Sequence, residues 1–199
     1  QPEMRWAFAD WGVLPLNPTL YLEYKWNHHE PDVLESKLLL ADEITPKLHV
    51  INALSNEEHP CQALADMQTL AEKWHSFEGR RIAFVGDGNN VCASLVHVAM
   101  MLGMAVQVAT PKGYELPDEV VDQAAAVSQK GAGLTEFTDP KAAVRDVDAV
   151  YTDVWTSMGQ EVEYADRKKT FQRYQVNESL MALAKPDALF MHCLPAHRG

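Results

Sequence analysis

From residue 80 onward, short apolar runs alternate with longer stretches in which apolar side chains recur at helical spacing. The short runs are rich in β-branched residues and end at Gly, Pro or Asp, and they predict strands over 81–87, 105–111, 134–140, 149–155 and 188–195. The longer stretches predict helices over 91–102, 118–130, 141–145 and 178–184, with a further helix over 62–74 before the first strand. This alternation predicts an α/β fold, a three-layer sandwich with a parallel, Rossmann-like sheet.

Residues 1–48 lack the alternating strand and helix pattern of the rest of the chain. Prolines occur at positions 2, 15, 18, 31 and 46, and no clean period is visible, so the pattern indicates at most one helix, over 31–41. We therefore predict an irregular N-terminal segment over 1–48 and an α/β domain over 49–199.

Composition and charge narrow the class of protein. With 47% hydrophobic and 23% charged residues, the chain has the composition of an ordinary globular protein. A net charge of −11 argues against binding to nucleic acid or to an anionic membrane surface. No apolar run reaches the roughly 18 to 20 residues of a membrane span. Three cysteines without a CxxC pair indicate reduced thiols and predict a cytoplasmic location.

Polar side chains cluster just after three of the predicted strands. The segments are GDGNN at 86–90, TDVWTSMGQE at 152–161 and HCLPAHRG at 192–199. Open α/β sheets bind their ligands at the carboxyl ends of the strands. These three segments are therefore the candidate site.

The GDGNN segment has three interpretations. As a dinucleotide fingerprint it is defective, because Val91 replaces the third glycine and no ribose-binding acid follows the second strand. It can instead be a plain turn between strand and helix. The third interpretation gives Asn90 a binding role, since its amide can donate to a carboxylate and accept from an ammonium group.

The segments HPCQ and DVWTSMG carry side chains that could bind different groups of a ligand. His59 and Gln62 lie one helical turn apart and could polarise a carbonyl oxygen while accepting from an amide NH2, although Pro60 also suits an ordinary helix start. Asp153 is a natural counter-ion for an amino group, and Gly159 would let the following loop close over a ligand. The alternative for Asp153 is that it caps the next turn.

The HCLP segment is also open to several interpretations. Cys193 could be a nucleophile with His197 as its base, or it could contribute to a metal site with its neighbours. Neither pattern is complete in the sequence, and a buried inert thiol is the commonest state of a lone cysteine. We predict no metal and no cofactor.

Taken in order, the segments HPCQALAD, VGDGNN, ATPKGYE, DVWTSMGQE and HCLPAHRG resemble those of the ornithine carbamoyltransferase family, over residues 49–199. The resemblance implies transfer of a carbamoyl group from carbamoyl phosphate to the δ-amine of L-ornithine, giving citrulline and phosphate. It also implies a homotrimer. The Ser-Met-Gly turn and the HCLP segment favour ornithine over aspartate or putrescine as the acceptor.

The resemblance assigns roles residue by residue. His59 and Gln62 would hold the carbamoyl phosphate. Ornithine would be bound by Asn90, Asp153, Ser157, Met158, Cys193 and Leu194. The predicted catalytic residues are Cys193, Asp153 and His59, and His192 opens the HCLP segment. The resemblance also places His197 and Arg198 beside the phosphate.

One family feature has no counterpart in residues 1–48. The Ser-Thr-Arg-Thr-Arg loop that binds phosphate in the family is not found there, and Arg5 is the single arginine of that segment. Three hypotheses therefore stay open. The chain is an ornithine carbamoyltransferase with impaired activity, a non-catalytic relative that binds an amino acid or a partner subunit, or a nucleotide-binding α/β module.

Overall fold

The computed structural model describes residues 52–155, 164–194 and Ala196, and the structural statements below refer to these residues. The chain divides into the units Gln1–Asn56 and Glu57–Gly199, and all the elements described here belong to the second unit. The predicted helix over 31–41 and the predicted boundary after residue 48 lie outside the described residues and stay predictions.

Five parallel strands form one sheet, as the alternating pattern predicts. They are β1 (Arg81–Val85), β2 (Ala105–Ala109), β3 (Gly133–Phe137), β4 (Ala149–Thr152) and β5 (Leu189–His192). Their spatial order is β3-β2-β1-β4-β5, and each neighbouring pair is parallel. The predicted α/β fold with a Rossmann-like sheet is confirmed.

The helices connect these strands. They are α1 (Pro60–Trp74), α2 (Asn90–Met101), α3 (Asp118–Val127), α4 (Pro140–Ala143), α5 (Tyr164–Phe171) and α6 (Glu178–Met181), with a 3-10 turn at Gln172–Tyr174. The pattern did not predict α5, because its sequence YADRKKTF is largely charged and lacks an apolar stripe. Within the described residues, no helix combines the length and the apolar character needed to cross a bilayer.

Helix α3 ends three residues earlier than predicted. Ser128 adopts extended backbone angles, and the amide of Gln129 donates to the carbonyl oxygen of Met100 at 3.0 Å. A tertiary hydrogen bond to the end of α2 thus replaces the next intrahelical bond. Local helical spacing, which extends to residue 130, does not reveal that competition.

The central strand β1 contributes side chains to two separate cores. Ile82 and Phe84 pack with α1, α2 and α3 on one face of the sheet, whereas Ala83 and Val85 pack with α4, α5 and α6 on the other. Successive side chains of a strand point to opposite faces, so a strand covered on both sides must be apolar throughout. The two cores give the predicted three-layer sandwich.

The strand order places a topological switch beside β1. The chain moves outward from β1 through β2 to β3, then returns to the opposite side of β1 as β4. The connections after β1 and β4 consequently leave the sheet in opposite directions, which opens a crevice at the carboxyl ends of these strands. The three polar segments predicted as the candidate site lie at this crevice or lead out of it.

Candidate functional site

The structure brings several predicted site residues to this edge of the sheet. Asn90 is the first residue of α2, directly after the β1 connection, while Asp153 follows β4 and Cys193 follows β5. His59 precedes α1 and Gln62 lies in its first turn. The predicted residues Ser157, Met158, Gly159, His197 and Arg198 lie outside the described residues.

Asp153 is the centre of a hydrogen-bonded cluster. Its Oδ2 accepts from the Asn89 amide at 2.8 Å, and its Oδ1 accepts from the Cys193 thiol at 2.9 Å and from the Val154 backbone at 2.6 Å. Only 7% of Asp153 is exposed. The carboxylate is therefore held at a defined position by groups that follow β1, β4 and β5. It does contact its neighbouring turn, but its role is wider than that of a local cap.

The Cys193 thiol is held in its protonated form. Burial raises its pKa, and the negative charge and the hydrogen bond of Asp153 raise it further. A nucleophilic cysteine requires the thiolate, so this environment disfavours the interpretation of Cys193 as a nucleophile. The geometry favours a thiol that donates to Asp153 and presents its sulfur at the sheet edge.

The same place contains three groups of metal-ligand type. One ligand atom each of Asp153, His192 and Cys193 lie within 4.8 Å of one another. Zinc binds the thiolate form of cysteine, whereas the Cys193 proton is engaged with Asp153, and His192 Nδ1 contacts the Cys193 carbonyl oxygen. These contacts favour a hydrogen-bonded cluster over a metal centre.

The two asparagines of GDGNN have different positions. Asn89 is the N-cap of α2, and its Oδ1 accepts from the backbone amides of Val91 and Cys92, both at 3.1 Å. Its amide nitrogen is then directed to Asp153. Asn89 was not among the predicted site residues, although the N-cap preference for asparagine is a signal that could have identified it. The binding role of Asn90, which is half-buried, stays a prediction.

The second glycine of GDGNN is explained by packing. A Cβ at Gly88 would lie 2.6 Å from the backbone nitrogen of Leu116, and the Gly88 amide donates to the Tyr114 carbonyl at 2.9 Å. Only glycine permits so close an approach of two backbones. Packing of the two backbone segments therefore explains this glycine without a bound phosphate. The dinucleotide interpretation is weakened further.

Arg167 of α5 is a site residue that the sequence analysis missed. It is 3% exposed, forms an ion pair with Asp87, and donates from Nε to the Trp155 carbonyl at 2.6 Å. Its guanidinium also lies 5.0 Å from the ring centroids of Tyr114 and Phe171. Arg167 thus joins the connection after β1 to the connection after β4. In the sequence it is one basic residue among several, so only the tertiary contacts distinguish it.

The start of α1 is anchored on α2. The His59 amide donates to Ser94 Oγ at 2.8 Å, Ser94 in turn donates to Glu58, and Glu58 lies 2.9 Å from His97 Nδ1. His59 occupies the N-cap position, but its side chain makes no capping hydrogen bond. The imidazole is thus not used to cap the helix, which favours a binding role over the ordinary helix start.

Comparisons with known proteins agree with this geometry. The sequence model of the family described as "Aspartate/ornithine carbamoyltransferase, Asp/Orn binding domain" matches residues 78–199. The ornithine carbamoyltransferase of Halalkalibacterium halodurans is 53% identical over 151 residues, 75% of this chain and 47% of the relative. That of Methanothermobacter thermautotrophicus is 54% identical over 151 residues, 75% of this chain and 50% of the relative.

Solved structures show the same similarity. The ornithine carbamoyltransferase from Pyrococcus furiosus superposes with a TM-score of 0.73 at 50% identity, covering 77% of this chain and 49% of that one. The chain spans about half the length of the curated relatives that it matches. The family model covers all five strands of the described sheet and the Asp153 cluster. The chain belongs to the aspartate/ornithine carbamoyltransferase family and carries its Asp/Orn-binding domain.

Proposed function

We propose that this chain binds L-ornithine at the Asp153 cluster and takes part in transfer of a carbamoyl group from carbamoyl phosphate to the δ-amine, giving citrulline and phosphate. The observation that carries the proposal is the buried Asp153 carboxylate, held between Asn89 and Cys193 at the edge of the sheet. The relatives named as ornithine carbamoyltransferases support the choice of substrates.

The chemistry requires positioning more than reactive side chains. An uncharged amine must attack the carbamoyl carbon while phosphate leaves, and no covalent enzyme intermediate is needed. Orientation of the two reactants and electrostatic stabilisation supply most of the acceleration in such a reaction. A protonated Cys193 beside the Asp153 carboxyl group suits this task, since Asp153 would bind the α-ammonium group of ornithine and the sulfur would contact the δ-amine.

We assign the amino-acid side of the reaction to the residues beside this cluster. Asn90 would bind the α-amino and carboxylate groups of ornithine together with Asp153, and Ser157 and Met158 would complete this contact. The carbonyl oxygen of Leu194 would accept from the δ-amine. Leu194 is 85% exposed, which leaves this end of β5 accessible to a ligand.

We assign the carbamoyl side to the start of α1. His59 would donate to the carbamoyl oxygen and Gln62 would accept from the carbamoyl nitrogen. Backbone N–H groups at a helix start also favour a negatively charged leaving group. His197 and Arg198 would add positive charge near the phosphate.

The family resemblance supports three further proposals. They are a homotrimeric assembly, a cytoplasmic location and a place in arginine biosynthesis. No cofactor and no metal is needed for the proposed reaction.

A second candidate function is amino-acid binding without turnover. It is favoured by residues 1–48, in which the Ser-Thr-Arg-Thr-Arg sequence of the family's phosphate-binding loop is not found. In that case ornithine would bind at the Asp153 cluster. Too few positively charged side chains would contact the phosphate to stabilise it as a leaving group.

The experiment that separates the two is citrulline formation by the 199-residue chain with both substrates, combined with calorimetric titration of ornithine. Turnover would establish the transferase. Ornithine binding without citrulline would establish the second candidate. If ornithine does not bind, with or without carbamoyl phosphate, both functions are wrong for this chain.

A further inference from the structure

Several buried polar atoms in and near α1 lack a regular hydrogen bond. Within the described part of the chain, four buried side-chain atoms lack a regular hydrogen bond, and these are His59 Nδ1, Asp66 Oδ2, Gln107 Oε1 and Tyr151 OH. Three of the four belong to the N-cap of α1 (His59), to the middle of α1 (Asp66) and to β4 (Tyr151). Asp66 is 8% exposed and Tyr151 is fully buried. Such atoms are costly in a folded protein, so a concentration of them calls for a functional explanation.

Asp66 determines which way the Gln62 amide points. Gln62 Nε2 donates to Asp66 Oδ1 at 3.1 Å. Asp66 Oδ1 is the acceptor in this hydrogen bond, so the NH2 end of Gln62 faces Asp66. The amide oxygen is then the end that remains for a ligand N–H group. A glutamine without this partner could present either end.

The Tyr151 hydroxyl interacts with the carboxyl group of Asp66. The Tyr151 hydroxyl is a donor, and Asp66 Oδ2 is an acceptor. The two groups influence each other electrostatically across the core that α1 and β4 share, although neither atom forms a regular hydrogen bond. Burial raises the pKa of Asp66, and the contacts with Tyr151 and Gln62 offset part of that rise. Burial and the negative charge of Asp66 raise the pKa of Tyr151.

The position of Tyr151 connects this contact to the amino-acid side of the site. Tyr151 lies in β4 two residues before Asp153, and Asp66 lies in α1 one helical turn after Gln62. The chain of contacts therefore extends from the strand that carries Asp153 to the helix that carries Gln62.

We propose that Tyr151 and Asp66 form a buried relay that positions Gln62, so that its amide oxygen faces the NH2 group of a bound carbamoyl ligand. The identity of that ligand rests on the proposed function, whereas the relay from Tyr151 through Asp66 to Gln62 does not. Tyr151 and Asp66 are positioning residues, because they act through Gln62 and do not contact the ligand.

The first test needs no ligand. Hydrogen exchange of the Gln62 side-chain NH2 group is measured by NMR in the 199-residue chain, with exposed Gln68 of the same helix as the internal reference. We expect exchange at Gln62 to be about tenfold slower than at Gln68, as one net hydrogen bond implies. Tyr151→Phe and Asp66→Asn should each remove most of that protection.

Tyr174→Phe is the matched control. The Tyr174 hydroxyl is also buried, but it donates to the carbonyl oxygens of Thr110 and Thr138 on the other face of the sheet. This variant should lose stability and keep the Gln62 protection. Unchanged exchange at Gln62 in Tyr151→Phe, or equal changes in both tyrosine variants, would overturn the relay.

The second test is calorimetric titration of carbamoyl phosphate. We expect Tyr151→Phe to weaken binding by about threefold to tenfold, the effect of one imperfectly oriented hydrogen bond, with Tyr174→Phe at the wild-type affinity. Equal affinities of wild type and Tyr151→Phe would refute the positioning role. If the wild-type chain does not bind carbamoyl phosphate, the proposed function fails, and the exchange measurement still decides whether the relay exists.

Discussion

The thiol of Cys193 donates a hydrogen bond to Oδ1 of Asp153 over 2.9 Å, and this contact joins the carboxyl ends of the neighbouring strands β5 and β4. The other carboxylate oxygen is bound by Asn89 at the start of α2. Three elements therefore meet at one carboxylate. A change at any of these side chains should affect the others.

Replacing Asp153 with Asn should reduce ornithine affinity strongly. The variant loses the negative charge that attracts an ammonium group, and a charge-assisted hydrogen bond is worth about 1.5 to 3 kcal/mol, or roughly tenfold to 150-fold in affinity. Calorimetric titration of ornithine measures the effect. Asp122→Asn, on the exposed face of α3, is the control and should bind as wild type. Unchanged affinity in Asp153→Asn would remove Asp153 from the proposed site.

The Cys193 thiol should resist alkylation. Burial and the Asp153 charge raise its pKa, so the thiolate fraction near pH 8 is small, whereas Cys61 is exposed at the start of α1. Limited treatment with iodoacetamide, followed by peptide mass spectrometry, should modify Cys61 well before Cys193. Asp153→Asn should speed modification of Cys193, because the opposing charge is gone.

The variant Cys193→Ser separates binding from folding. A hydroxyl can still donate to Asp153, so the fold should persist while ornithine affinity falls several-fold, through the loss of sulfur contacts with the amine. Circular dichroism and calorimetry measure the two effects. A variant that unfolds would instead assign Cys193 a core role.

Arg167→Met should destabilise the protein by about 3 kcal/mol, because it leaves the Asp87 carboxylate without its main counter-ion in a largely buried place. Urea unfolding measures the loss. Lys169→Met, on the exposed side of the same helix, is the control and should change stability by less than about 0.5 kcal/mol. In a double-mutant cycle with Asp87→Asn, strictly additive effects would show that the ion pair contributes nothing.

Asp148 should make stability depend on pH at the opposite end of the sheet. It is 4% exposed and binds Arg80 at 2.7 Å, Lys185 at 2.9 Å and the Arg81 amide at 2.9 Å. Burial alone would raise its pKa, but the hydrogen bonds from Lys185, Arg81 and Arg80 outweigh burial and lower the pKa.

The sign of this pH dependence follows from the lowered pKa. A carboxyl group whose pKa is lower in the folded state stabilises the protein above its unfolded value, about 3.9, and loses this effect as the pH falls through the folded value. Asp148→Asn should therefore cost about 2 to 3 kcal/mol at pH 7, and the difference from wild type should shrink below about pH 4. Exposed Asp187→Asn is the control. A constant difference between pH 7 and pH 3 would contradict this account.

Much of the fold was predictable from local pattern. The apolar runs at β1 and β4 and their β-branched residues identify buried strands, and the glycines and prolines between elements mark the connections. The crevice at the carboxyl ends of the strands was predicted because parallel strands bring their ends to one edge. Helix α5 was missed, since a helix stabilised by one buried arginine and Phe171 has no apolar stripe.

The site was only partly predictable, and Asn89 and Arg167 show why. Both are polar residues in segments with other polar residues of the same type, so their neighbours in sequence give no reason to choose them. Asn89 is distinguished by Asp153, 64 positions away, and Arg167 by Asp87, 80 positions away. Side-chain partners at such separations depend on the register of the sheet and on the path of each connection.

The sequence by itself determined the class of the fold, the edge of the sheet that carries the site, and the residue types available there. Hydrophobic periodicity and backbone preferences act over a few residues, so they can be recognised from the sequence alone. Only the tertiary structure decided that Asn89 donates to Asp153, that the pKa of the Cys193 thiol is raised, and that Gln62 donates to Asp66. Hydrogen-bond partners and pKa shifts depend on distances of a few ångströms between distant parts of the chain, and packing alone sets those distances.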